Sequence, residues 1–367
     1  MTNEHHAPDR VSDEAIADLH ARLSRRRRFA ALLGGQPPAG VDLDWLDTLV
    51  ARWTDGFDWR TQEDRILALP WELVDAPHPL RVIHQKAEPD APVVLLLHGW
   101  PDSVLRFEKV LPLLRHVTVV APALPGYPFS VDAPAEGMSA NEMADVVAAG
   151  MHRLGYTRFV VSGGDIGCNV AEALMRNHPS MVAAAHLTDV SQRHLAGGIP
   201  DDLSPTERDY VDRWNRWQTT EAAYSLEHAT KPATIAAALT DSPTGLLAWI
   251  GEKLWTWTDH GDDITSVFSH DEVLTWVSAY WFTSAIGSSF GPYALRTAPP
   301  NTKIPGRIPV VLSIFPDDLV NAPRDFAERL FDLEAFEEHP VGGHFPSWEQ
   351  PEAYVRDLDR AIAAALD

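Results

Sequence analysis

Asp165 stands in Gly163-Gly164-Asp165-Ile166-Gly167, directly after Phe159-Val160-Val161-Ser162 and before a helix-compatible stretch. A β-branched and aromatic run that meets a glycine cluster spells a strand entering a tight turn. Small residues on both sides of the apex let one side chain project above the sheet, as in a Gly-x-Ser-x-Gly nucleophile elbow, but here that side chain is a carboxylate. An ordinary aspartate has a pKa near 3.9, so it is ionised at neutral pH and needs no general base for a first attack. It is a weak nucleophile towards amides, yet it can displace at a strained or activated carbon and leave an alkyl ester on the protein. Downstream come Asp317-Asp318 and then His344, each just past a predicted strand. The order nucleophile, acid, histidine is that of α/β-hydrolase triads. A histidine oriented by a carboxylate on one ring nitrogen can use the other to activate water against that ester. The backbone N–H of Ile166 and one from the loop His98-Gly99-Trp100-Pro101 are placed to hold an oxyanion, with Trp100 as the loop's donor.

Two substrate classes suit a carboxylate nucleophile. Haloalkanes release halide, whereas epoxides release a tethered alkoxide, which is far more basic and calls for a proton donor. Tyr210, Tyr224, Tyr280 and Tyr293 all lie between residues 191 and 300 and could act as that donor, with ring packing as the plainer role for each.

These residues need a scaffold that brings distant strand ends together. Val93 to Leu97, Val117 to Ala121, Phe159 to Ser162, Ala183 to Leu187 and Ile308 to Phe315 are short apolar runs, with a short strand at Ala335 to Glu338. They alternate with helix-compatible stretches at Ser139 to Leu154, after Ile166, at Arg324 to Phe331 and from Glu352. Such alternation predicts an α/β fold with a mostly parallel central sheet, whose strand ends converge on one crevice. The expected organisation is an α/β-hydrolase core in two parts, 91–190 and 301–367, interrupted by a helical lid at 191–300. An N-terminal extension at 1–90 packs on the core, with a helix from Ser12 and an irregular aromatic meander over 36–90. The lid holds seven of the chain's thirteen tryptophans, which suits a packed core and also an apolar roof over a site.

Composition narrows the partners. The chain of 367 residues has a formal net charge of −22, which disfavours nucleic acid and anionic membranes. The basic run Arg25 to Arg28 reads as a solvated helix end. A lone cysteine, Cys168, excludes an intramolecular disulfide, and no apolar run approaches the roughly 20 residues of a membrane helix. A cytoplasmic protein with a small-molecule substrate, water as co-substrate and no metal or organic cofactor is expected. A homodimer stays open, as do detoxification and secondary metabolism as settings.

Together His98-Gly99-Trp100-Pro101, the Asp165 elbow, Thr230-Lys231-Pro232, Phe315-Pro316-Asp317-Asp318-Leu319 and Gly342-Gly343-His344-Phe345 resemble the microsomal-type epoxide hydrolase family over nearly the whole chain. The resemblance implies an epoxide hydrolase with Asp165 as nucleophile and His344 as base. It selects Asp318 over Asp317 as the orienting acid, and Tyr224 and Tyr293 as the paired donors to the epoxide oxygen. Trp217 and Gln218 are expected at the pocket. Asp102 departs from the family's usual glycine and is expected to bend the loop or put a charge near the entrance, while Ile166 replaces a tryptophan. A haloalkane dehalogenase, which commonly holds halide with tryptophan N–H groups and for which Trp100 is a candidate, and a catalytically silent ligand-binding homologue are the alternatives.

Overall fold

The computed structural model describes residues 6–30, 40–131, 135–297, 299 and 301–366; residues 36–39 of the expected meander and 298 and 300 of the expected lid lie outside it. Eight strands form one sheet: β1 (Trp71–Val74), β2 (Leu80–Gln85), β3 (Val93–Leu97), β4 (Thr118–Pro122), β5 (Phe159–Gly163), β6 (Val182–Leu187), β7 (Pro309–Ile314) and β8 (Asp332–Glu338), in the spatial order β1-β2-β4-β3-β5-β6-β7-β8. The six strands from β3 onward are mutually parallel; at one edge β2 pairs antiparallel with β4, and β1 pairs antiparallel with β2. Alternation of apolar and polar residues is absent from the central strand β3 because both faces of the sheet are covered there: Val94 to Leu97 are all fully buried.

The stretch expected to be an irregular meander is regular. It contains the helices Leu43–Thr54 and Trp59–Leu67, then β1 and β2, so its last part belongs to the main sheet. Both helices have an aspartate N-cap, Asp42 and Asp58, and bury their tryptophans. Those rings grip the lid: Trp45 meets Trp255 edge-on at 5.1 Å, Trp59 lies 4.8 Å from Phe282, and Trp53 Nε1 donates to Ser278 Oγ at 3.0 Å. The first helix buries Trp45, Leu46, Leu49, Val50 and Trp53 at helical spacing, whereas the second is short and puts a glutamate, Glu63, on the buried face between Trp59 and Ile66. The basic run is absorbed nearby, since Arg26 and Arg28 pair with Asp47 at 2.7 and 3.1 Å.

Between β6 and β7 the chain forms the helical lid, including Pro205–Thr220, Ala223–Thr230, Pro232–Asp241, Pro243–Thr256 and His270–Thr283. Ser204 and Ser269 start two of these helices with full capping boxes to Glu207 and Glu272. No helix among the described residues is long and apolar enough to cross a membrane.

Candidate active site

The turn after β5 is built by steric exclusion. Asp165 has φ 56° and ψ −126°, a conformation that costs a non-glycine residue about 1–3 kcal/mol. A Cβ on Gly163 would sit 2.5 Å from the Gly167 carbonyl oxygen, and one on Gly167 would collide with the Leu97 carbonyl. Only glycine at both places lets the helix Ile166–Asn177 start this close to β3 and β5. Asp165 is therefore held at the helix N-terminus, where the dipole favours a negative charge.

Its two oxygens have different surroundings. The Trp100 N–H donates to Oδ1 at 2.7 Å, with the Ile166 N–H also acting on the carboxylate. Oδ2 faces His344 Nε2 at 3.7 Å. Burial pushes the Asp165 carboxyl above its ordinary value, while His344 and the two backbone N–H groups oppose that shift.

Sequence-distant loops meet here as the chain order requires. His344 Nδ1 lies 2.6 Å from Asp318 Oδ1, whereas the Asp317 backbone bridges to Gly343. Burial alone would lower the imidazole's pKa; the Asp318 and Asp165 carboxylates outweigh it and raise it to about 9. The histidine turn is fixed from several sides. Glu349 accepts from the N–H groups of Asp259, Gly343 and Phe345 at 2.8 to 2.9 Å, and His344 N–H donates to the Trp257 carbonyl at 2.8 Å.

The oxyanion loop is braced by the residue expected to perturb it. Asp102 is buried with its side chain turned inward, away from the entrance. It accepts from Gly99 N–H at 2.8 Å and pairs with the buried Arg106 at 2.6 Å. Arg106 in turn donates to the His344 carbonyl at 3.2 Å. The expected charge near the entrance is thus corrected: a carboxylate without a partner could not be buried, and Arg106 with the Gly99 N–H supplies the partners.

Above the carboxylate, Tyr224 stacks on Trp100 at 5.2 Å, and the Tyr224 and Tyr293 rings lie 6.1 Å apart. Burial first, and then the Asp165 charge, push both hydroxyls well above the ordinary tyrosine value, so they stay protonated. Tyr280 instead donates to the Asp102 carbonyl at 2.9 Å, and Tyr210 packs on Phe326 at 5.1 Å. Asp165, Ile166, Tyr224 and Tyr293 share a pocket of about 500 Å³ with Trp217 and Gln218.

Sequence reasoning missed three charged residues of that pocket: Arg296, three residues after Tyr293, and two in the loop after β6, Asp189 and Arg193. Asp189 Oδ1 accepts from the strained Asp165 N–H at 3.1 Å. Burial, then Asp318 and Asp165, raise its pKa to about 8. The signal available for Asp189 and Arg193 was positional: both follow a central parallel strand on the side where the site residues gather.

A parallel sheet carrying an acid at a strand-turn-helix apex, a second acid after β7 and a histidine after β8 defines an α/β-hydrolase. Residues 6–107 match the family model described as epoxide hydrolase N terminus, and residues 92–239 match the α/β-hydrolase fold. A Stigmatella aurantiaca protein that carries an epoxide hydrolase name is 34% identical over 363 residues, spanning 95% of this chain and 82% of that one. Epoxide hydrolase 1 of Oryctolagus cuniculus is 30% identical, over 96% of this chain and 87% of its own. The solved Aspergillus niger epoxide hydrolase superposes with a TM-score of 0.87 at 30% identity, covering 97% of this chain and 95% of that structure. The chain belongs to the epoxide hydrolases, enzymes that hydrolyse epoxides.

Proposed function

We propose that this enzyme converts an apolar or bulky epoxide to a vicinal diol through an alkyl ester on Asp165. The observation that carries the reading is the division of the Asp165 carboxylate: Oδ1 rests on the Trp100 N–H, while Oδ2 is 3.7 Å from His344, itself 2.6 Å from Asp318. Oδ1 already occupies the place of an ester carbonyl oxygen, so Oδ2 is the attacking atom. Trp214, Trp217, Leu226 and Leu319 give the pocket an apolar wall suited to a bulky substituent.

Oδ2 attacks an oxirane carbon, that carbon–oxygen bond breaks, and the departing oxygen takes a proton from the tyrosine pair. The products are a hydroxyalkyl ester and a tyrosinate. Esterification removes the Asp165 charge, so the His344 imidazolium loses a stabilising neighbour and its proton returns to the tyrosinate. Neutral His344 then takes a proton from water as the hydroxide adds to the ester carbonyl. The Trp100 and Ile166 N–H groups hold the resulting oxyanion. Collapse releases the diol oxygen, which takes the proton of the newly freed carboxyl group. Asp165 ends as carboxylate and His344 as imidazolium, so the net change is epoxide plus water to diol.

A single turnover in H₂¹⁸O with enzyme in excess tests this route. The expected result is label in the Asp165 carboxylate and an unlabelled first diol. Label in that first diol means direct attack by water and refutes the ester.

A further inference from the structure

Arg193 begins the short helix Arg193–Ala196 and reaches the wall of the site pocket, yet it forms no ion pair among the described residues. Enclosing a guanidinium without a carboxylate is costly, and this chain is rich in acids that could have paired it. Its Nη2 instead donates to the Pro292 carbonyl at 2.7 Å, on the residue just before Tyr293. On the other side its loop is tied to the elbow. The Arg193 N–H donates to Ser191 Oγ at 3.3 Å, Ser191 Oγ to Asn169 Oδ1 at 2.6 Å, and Asn169 Nδ2 to the Asp165 carbonyl at 3.1 Å. One connected set of bonds thus spans from the backbone of Asp165 to the backbone beside Tyr293.

We propose that Arg193 is a positioning residue for epoxide opening: it fixes Tyr293 relative to Asp165 through the Pro292 carbonyl and places a permanent positive charge beside the tyrosinate that Tyr293 becomes. The proposal rests on the ester route above and deepens it by separating the two tyrosines. Tyr293 gives the proton, and Tyr224, stacked on Trp100, orients the epoxide oxygen by hydrogen bonding. The charges around the two tyrosines differ in the same sense: the cation over the Tyr224 ring, Lys253 Nζ at 5.0 Å, is paired with Glu252 at 2.6 Å, whereas Arg193 has no such partner among the described residues. Burial, Asp165, Tyr224 and Tyr127 all oppose ionisation of the Tyr293 hydroxyl, and Arg193 is the group that favours it. Arg193 itself faces Tyr293, Asp165, Tyr127 and Arg296, with Glu172 and Arg176 on the adjoining cavity. An arginine is suited to the place because its guanidinium stays charged at any pH at which the enzyme works.

The test uses styrene oxide in single-turnover experiments, with ester formation and ester decay followed separately by rapid quench and mass measurement of the Asp165 peptide. Arg193→Gln is expected to slow ester formation by roughly 10- to 100-fold and to leave ester decay within about threefold, the scale of losing one charge-stabilising group. Arg193→Lys, which keeps the charge, should recover much of the rate. The loss should be absent when Arg193→Gln is added to Tyr293→Phe and retained when it is added to Tyr224→Phe. Additive losses with Tyr293→Phe, equal slowing of both steps, or an effect confined to KM would each overturn the proposal. Should the wild-type protein form diol with no ester on Asp165, the ester route fails first, and that outcome is distinct from any behaviour of Arg193. Unchanged thermal melting of Arg193→Lys keeps the comparison valid if Arg193→Gln folds poorly.

Discussion

Replacing Asp165 by Asn imitates the electrical state of the proposed ester while keeping the side chain's shape, and it should change the proton affinity of His344 sharply. Two charges hold that imidazole at about 9 against burial, Asp318 at 2.6 Å and Asp165 at 3.7 Å. At an effective dielectric constant of 20, unit charges 3.7 Å apart interact by about 4.5 kcal/mol, so losing Asp165 lowers the ring's proton affinity by roughly a thousandfold. The expected consequence is that Asp165→Asn carries a neutral His344 at a pH where the wild type carries an imidazolium. Nitrogen-resolved NMR titration of His344 in both proteins, from pH 5 to 10, reads this directly. The same logic applies to turnover: the rate of ester decay should reach its plateau well below pH 9, because the ester form has lost the Asp165 charge. If His344 titrates within threefold of the wild-type proton affinity in Asp165→Asn, and ester decay rises only near pH 9, the charge-switch reasoning is wrong.

Other consequences are simpler. Asp318→Asn should leave ester formation within about tenfold and slow ester decay by roughly 10³- to 10⁴-fold, so that ester accumulates in quenched samples; equal loss in both steps would argue against its role as orienter. Tyr293→Phe should slow ester formation more than Tyr224→Phe does, with ester decay largely unchanged in both, as measured in the same quench series. Asp102→Ala leaves Arg106 buried without its partner and should lower unfolding stability by about 3–5 kcal/mol in urea titrations. Burial works against the Asp102 charge, but Arg106, His98 and the Gly99 N–H hold its carboxyl below the ordinary value. That stabilisation is therefore complete above the usual carboxyl range near pH 4 and is lost only as pH falls below it, which a wild-type versus Asp102→Ala comparison between pH 3 and 7 checks.

Much of the molecule can be read from local chemistry alone. Glycines at 163 and 167 leave one turn geometry for Asp165, and short apolar runs alternating with helical stretches imply a parallel sheet before any contact is known. That Asp165, the pair Asp317-Asp318 and His344 can meet follows from that sheet because strand ends on one side converge, while the choice of Asp318 within the pair is what the family resemblance implies. The helices at Leu43–Thr54 and Trp59–Leu67 are less visible, since they are short, the second buries Glu63 among its apolar residues, and the partners of Trp45 and Trp59, Trp255 and Phe282, lie some two hundred residues away.

Where charge is tolerated is a matter of the fold. Asp102 reads in sequence as a residue that bends the loop or puts a charge near the entrance; only the packed loop brings Arg106 and the Gly99 N–H to it and turns it into an inward brace. Asp189 and Arg193 are ordinary letters after β6 until the loop closes on the Asp165 backbone and on Pro292. Which residues could attack, relay a proton and hydrolyse is written in the linear chain, because those abilities belong to side-chain chemistry and chain order. Which oxygen of Asp165 faces His344, which acids find partners and which tyrosine has Arg193 bound to the backbone beside it depend on distances of a few ångströms between segments far apart in the chain, and only folding sets them.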